Sequence, residues 1–430
     1  MMKIQNVKGG YDFLPNEQKI RNYINDTLKG VFENYGYNPI ETPILCYYDI
    51  LSDKYDETND LLKEIYKLYD QGQRKLGLRY DLTVPFAKFI ALNQKEVRMP
   101  FKRYEISKVF RDGPVKVGRD REFTQCDVDV VGLQGQYIEA ELLSLYSTAF
   151  KKLGIDIVIK YNNRKLISGL IIESGIELDL VNTCITLIDK KEKITTEEFK
   201  NNLLSIGLNN MQVDNLYSLF NLSLLELNDK FNNTSNEEIR SGLKDINNLF
   251  NCLKRLGLND ECSFCSTLVR GQDYYTGNVF EVYAKNSEIK CSIGGGGRYD
   301  NMITDFISDD NIYPAVGISF GLSPIYGILK NDKSIGQKSL IDILIIPMET
   351  EIESLHLASK LRAMNINVEI DFSGKKLKKS LDYANKENIN YVIILGEDEI
   401  RKQKFRLKNM LNKTEKEYAF DQLQNIKELI

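Results

Sequence analysis

FKRYEISKVFRD (101–112) and REFTQCDVDVV (121–131), joined by GPVKVGRD, decide how this chain is read. Both segments are rich in β-branched and aromatic residues and lack a helical period, so they read as two strands. Their connection is short, basic and contains glycine. It leaves no room for a crossover helix, so the strands run antiparallel.

Working upstream, the spacing of Ile20, Ile24, Leu28, Val31, Phe32 and Tyr35 predicts a helix over 17–35. YGYNPIETPILCYYDIL (35–51) turns extended, because Pro39 and Pro43 forbid helix. KLYD (67–70) and LGLRYD (76–81) read as a hairpin before an apolar helix at 83–92. Downstream, a helix over 137–153 leads to the strand IDIVIKY (155–161). Residues 165–255 are helical in texture, rich in Leu and Asn, and read as an inserted subdomain without a motif. Strands return at 267–284 and 290–297. AVGISFGLSPIYGIL (315–329) lies in a run without charge from Asn311 to Leu329. Asn311, Pro314, Ser319, Ser323, Pro324 and the glycines deny that run the sustained apolarity of a membrane span. It reads as a buried strand entering a helix, with Ser323 as N-cap and Pro324 at the first helical position.

KNDKSIGQKS (330–339) reads as a linker. Beyond it, strands at 341–347, 366–371, 390–397 and 404–410 alternate with helices at 350–364 and 375–388. This pattern predicts a small α/β domain with a mostly parallel sheet. The expected organisation is an α+β domain with an antiparallel sheet over 1–329, a linker over 330–339 and an α/β domain over 340–430.

At 430 residues the chain can bury a large core; with 42% hydrophobic and 27% charged residues it has a globular composition. No charged–apolar–small leader pattern opens it. Seven scattered cysteines suggest reduced thiols in the cytoplasm. Cys262 and Cys265 form one CxxC without a second pair at matching spacing, so no metal is assigned to protein side chains. A net charge of −4 gives no global attraction for polyanions. The single histidine, His356, excludes a histidine base or metal ligand from residues 1–355.

Arg79, Arg111, Arg119, Arg121, Arg270 and Arg298 sit in the strand-rich part near Asp81, Asp127, Asp129 and Asp273. From spacing alone they fit either a clamp for an anionic ligand that also carries an ammonium group, or ordinary surface salt bridges. GGGGR (294–298) lacks the GK[ST] of a phosphate loop and the context of a dinucleotide fingerprint. It suits close approach of a strand to a ligand or another backbone. In RKQKFRLK (401–408), alternation would put Lys402, Lys404 and Arg406 on one face of a strand. That face would either contact nucleic-acid phosphate or guard a solvated edge strand.

Together these segments resemble the class II aminoacyl-tRNA synthetases, and specifically the histidyl-tRNA synthetase family, from KGGYDFLP (8–15) to the last strand. YGYNPIETP resembles motif 1 and 102–132 resembles motif 2. LRYDLTVPFAK (78–88) also matches, and LVRGQDYYTG (268–277) and GGGRYD (295–300) resemble the two signatures of the histidine enzyme. GISFGL resembles the start of motif 3, and the C-terminal unit is similar to the family's anticodon-binding domain.

The resemblance implies a histidine–tRNA ligase that forms histidyl-adenylate from L-histidine and ATP with Mg²⁺, then charges tRNA(His). It implies a cytoplasmic homodimer with Pro43 at the interface. Arg111 would hold the ATP α-phosphate, Arg119 the outer phosphates, and Phe123 would stack on adenine. Asp81, Thr83 and Gln125 would take the histidine ammonium. Asp129 with Tyr274 or Tyr275 would bond the imidazole, and Arg270 would act at the α-phosphate and carboxylate. Lys402, Lys404 and Arg406 are the tRNA-contact candidates. Two positions depart from the family pattern. Gly113 stands where motif 2 has an acid, and Ser323–Pro324 where motif 3 has an acid and an arginine. A non-charging paralogue that binds histidine or tRNA, such as a regulatory subunit of ATP phosphoribosyltransferase, is the alternative that these departures leave.

Overall fold

The structure, a computed structural model, describes residues 4–52, 60–116, 118–191, 194–271, 274–307, 309, 311–332, 335 and 339–429. Asp273 and much of the expected linker lie outside these residues. The chain divides into two units, one comprising 1–14 and 20–330, the other 331–430 grouped with 15–19.

The first unit holds β1 (Asn38–Pro39), β2 (Leu45–Tyr47), β3 (Lys67–Tyr69), β4 (Lys75–Leu78), β5 (Phe101–Phe110) and β6 (Glu122–Val131). It continues with β7 (Ile157–Asn163), β8 (Cys262–Phe264), β9 (Asn278–Ala284), β10 (Gly294–Arg298) and β11 (Ala315–Gly321). Among the described residues an eight-stranded sheet has the order β1-β5-β6-β11-β10-β9-β7-β8. Its two outermost pairings are parallel and every pairing between them is antiparallel. β2, β4 and β3 make a separate small sheet.

One alternation sorts the large sheet. Arg103 opposes Asp129 and Glu105 opposes Asp127 across β5 and β6. Gly317, Ser319 and Gly321 of β11 oppose Asp129, Asp127 and Gln125. Directly paired residues share a face, so these polar groups line one side of the sheet. The intervening residues, among them Cys126, Val128, Ile318 and Phe320, are buried on the other side. There Phe320 packs against Phe32 of the helix Pro15–Asn34, and against Tyr146 and Phe150 of the helix Gln136–Lys152. Each such aromatic, fully buried, contributes roughly 2–3 kcal/mol.

The uncharged run thus supplies a central strand, β11, and a helix, Leu322–Leu329. The strand runs straight into the helix, so Gly321 is the N-cap, without a side-chain bond, and Pro324 stands at the third helical position. This corrects the expected Ser323 cap. The glycine run of β10 is buried and meets β11 closely: a Cβ on Gly296 would lie 2.1 Å from Gly317 O. Residues 164–255 contribute helices, of which Arg164–Glu173 and Glu237–Arg255 pack through Gly169 and Gly242. The expected strand at 267–284 is confined to β9; its first residues form a loop, and the preceding strand is β8 instead.

The second unit contains β12 (Ile343–Met348), β13 (Val368–Ile370), β14 (Tyr391–Gly396), β15 (Lys404–Asn409) and β16 (Glu415–Ala419), in the order β13-β12-β14-β15-β16. β12 pairs in parallel with β13 and β14, but β14–β15 and β15–β16 are antiparallel. The sheet is therefore mixed rather than mostly parallel. The short helix Glu397–Lys402 ends at Gln403, whose left-handed φ of 55° turns the chain back along β14. Lys402 belongs to that helix, so it does not share a strand face with Lys404 and Arg406. Across the β15–β16 pairing, Lys404 bonds Glu417 at 2.8 Å and Arg406 approaches Glu415 at 4.0 Å.

Candidate active site

The polar face of the large sheet floors a cavity of about 640 Å³. Asp81, Thr83, Arg111, Arg119, Phe123, Gln125, Asp129, Arg270, Tyr274 and Tyr275 all line it. Three arginines of the sequence set are used elsewhere. Arg79 is fully buried against Glu105 at 2.9 Å, Arg298 pairs with Glu139 at 2.6 Å, and Arg121 lies 3.4 Å from Asp112.

Local structure explains each position. Asp81 precedes the helix Thr83–Leu92, and its Oδ1 accepts from Val84 N at 3.2 Å. Asp81 Oδ2 is buried without a partner, as is Gln125 Oε1. Gln125 Nε2 donates to Ser319 Oγ at 3.1 Å, which fixes the side chain from the neighbouring strand. Asp129 accepts from the Tyr299 hydroxyl and lies 2.6 Å from Arg103 Nη2, out of line for a hydrogen bond. Arg111 follows β5; its Nε donates to Tyr80 O at 3.1 Å, and its guanidinium carbon sits 5.1 Å from the Phe123 ring centre. Arg119 reaches the cavity from the loop between β5 and β6 and bonds Glu64 Oε1 at 2.5 Å. Arg270 bonds Glu281 at 2.9 Å.

Burial sets the electrostatics. Desolvation pushes the Asp81 carboxyl up to about 6 and Asp127 up to about 7, and raises Asp129 against the pull of Arg103. Burial alone would lower Arg270, but the Tyr275 hydroxyl and the Glu281 carboxylate outweigh it and hold the guanidinium charged.

Lys116 and Tyr299 also line the cavity and were not singled out from the sequence. Lys116 is the one lysine of GPVKVGRD, and Tyr299 sits inside the GGGRYD signature; those were the available signals. Ser323 and Pro324 line it too. The sequence departure therefore falls at the wall of this cavity.

The model of the family described as Histidyl-tRNA synthetase matches residues 9–325. The chain belongs to that family. A second model, Anticodon binding domain, matches residues 342–427. The chain is 44% identical over 429 residues to Histidine--tRNA ligase 1 of Bacillus anthracis, covering 99% of this chain and 100% of that protein. It is 36% identical over 456 residues to Histidine--tRNA ligase of Azobacteroides pseudotrichonymphae, covering 99% and 98%. The histidyl-tRNA synthetase of Nostoc sp. superposes over 100% of both chains with a TM-score of 0.84 at 28% identity. A Bacillus halodurans protein described as an ATP phosphoribosyltransferase regulatory subunit/histidyl-tRNA synthetase shares the fold, with a TM-score of 0.75 at 23% identity over 92% of this chain and 99% of that one. The fold is that of the class II synthetases, as the sequence reading expected.

Proposed function

We propose that this protein is a histidine–tRNA ligase that activates L-histidine with ATP and transfers it to tRNA(His). The observation that carries the reading is a pair of buried acceptors without partners, Asp81 Oδ2 and Gln125 Oε1, in a cavity that also holds Arg111, Arg119 and Lys116. A buried acceptor left unbonded is costly, so the pair suits an ammonium group, while the cations suit a polyphosphate. One cavity thus fits both ends of an amino acid–nucleotide pair. Full-length identity to curated histidine–tRNA ligases supports the ligase over the non-charging alternative.

In the proposed mechanism the histidine ammonium sits among Asp81, Thr83 and Gln125. Its imidazole lies between Asp129 and the Tyr274–Tyr275 pair, with Tyr299 holding Asp129 in place. The histidine carboxylate oxygen attacks the α-phosphorus; the bond to the bridging oxygen breaks, and pyrophosphate leaves with the electron pair. Arg111 and Arg270 stabilise the charge that grows on the α-phosphate oxygens. Phe123 stacks on adenine, and Arg119 with Lys116 takes the outer phosphates. Mg²⁺ would come with the nucleotide, since among the described residues no group of three or more His, Cys, Asp or Glu side chains could hold a metal ion, and it would supply charge neutralisation on the phosphates. The tRNA 3′-terminal ribose hydroxyl then attacks the histidyl carbonyl and releases AMP. No protein nucleophile is required, in keeping with a chain whose only histidine is His356.

The proposed organisation is a catalytic domain over 1–329 with a helical insertion at about 165–255, a linker over 330–339 and an anticodon-binding domain over 340–430. Lys404 and Arg406, exposed on β15, are the proposed tRNA contacts, with Lys402 beside them on the preceding helix. The protein is proposed to act as a cytoplasmic homodimer. Pro43 is exposed beside a small sheet that presents Ile44, Leu45, Tyr47, Leu68 and Tyr69 to solvent. Among the described residues no helix is long and apolar enough to cross a membrane. Charging of tRNA(His) with labelled histidine tests the reading: labelled tRNA is expected, and histidine binding without any charging would favour the paralogue.

A further inference from the structure

Gly113 has no side chain, and a carboxylate fills the space that one would take. A Cβ on Gly113 would lie 2.9 Å from Glu64 Oε1 and 3.1 Å from Glu64 Cδ. Gly113 has no left-handed φ, so its backbone does not demand glycine. The Glu64 main chain is tied to the same strand end, with Asp112 N donating to Glu64 O at 2.7 Å. Its side chain is mostly buried and accepts from Arg119 Nη2. Arg121, also nearby, has other partners, donating to Gly113 O at 3.2 Å and facing Asp112.

We propose that Glu64 is the positioning carboxylate of this nucleotide site, standing in space where a side chain at 113 would project, and that it holds Arg119 for the outer phosphates of ATP. Arginine presents five N–H donors in a rigid fork. Bonding one edge to Glu64 leaves the rest for phosphate and orders a side chain that is otherwise half exposed and rich in rotamers. The carboxylate at this strand end comes from the segment before β3, and glycine at 113 makes room for it. The inference rests on the ligase reading only in taking ATP as the anion.

Titration calorimetry of the full chain with MgATP, and separately with histidine, tests it. Glu64→Ala should weaken ATP binding about tenfold and Glu64→Gln about threefold, as expected for a partly buried charged pair, with histidine binding unchanged. Moving the acid to the strand end, in Glu64→Ala/Gly113→Glu, should restore ATP binding to within about threefold of the parent. ATP affinity unchanged in Glu64→Ala, or no recovery in the double variant, would overturn the proposal. So would loss of histidine binding in Glu64→Ala, since Glu64 would then be holding the fold. A parent protein that binds ATP but forms no adenylate would remove the ligase reading and leave this inference to the affinities. A parent that binds no ATP would overturn both.

Discussion

Asp127 faces the cavity from β6, fully buried and pushed up to about 7 by desolvation, with Arg103 pulling the other way and Asp129 adding to the rise. An unfolded aspartate titrates near 3.9, so the folded chain binds the proton more tightly. Its contribution to stability is complete below about pH 4 and is lost as pH rises through 7. Asp127→Asn should therefore be more stable than the parent at pH 8 by up to about 4 kcal/mol, or about 4–5 °C in Tm for a chain this large. The advantage should shrink on acidification and vanish near pH 4; thermal unfolding at several pH values measures it. At this scale the sequence was informative where a motif tied a residue to a role. The residues expected for ATP and histidine converge on one cavity. Arg79 and Arg298 do not, because spacing could not reveal that Glu105 and Glu139 would neutralise them in the interior. Glu64 was invisible for the complementary reason: it reaches Arg119, which lines the cavity, from a distant segment.

Among elements, the pairing of β10 with β11 tolerates little change. Gly296→Ala would drive a methyl group against the Gly317 carbonyl, where backbone on both sides leaves no flexible side chain to yield. It should destabilise the protein by about 3 kcal/mol or more, visible as a lower denaturation midpoint or insoluble expression. Gly30→Ala, on an open stretch of helix, should instead be neutral to slightly stabilising by up to about 1 kcal/mol. The strands at 101–112 and 121–131 were legible because alternation and composition agree there. The cap of the helix after β11 was misplaced because Ser–Pro is a sound helix start by itself, while the strand's own pairing carries it to Gly321. The second sheet was read as mostly parallel because β16, a short and largely charged strand, has no apolar alternation to announce it.

For the whole molecule, the exposed apolar side chains around Pro43 are the proposed site for a second copy. Tyr47→Glu would place a charge in that patch and should shift sedimentation from dimer to monomer at micromolar concentration. A variant that stays dimeric would put the interface elsewhere. In the proposed reaction one cavity joins histidine to ATP although Pro324 stands where the family resemblance implies an arginine. Histidine-dependent exchange of labelled pyrophosphate into ATP tests it most directly. Exchange should require histidine and fall at least about 100-fold in Arg270→Ala, the scale typical of a group that stabilises transition-state charge. Folded, histidine-binding protein that shows no exchange would contradict it.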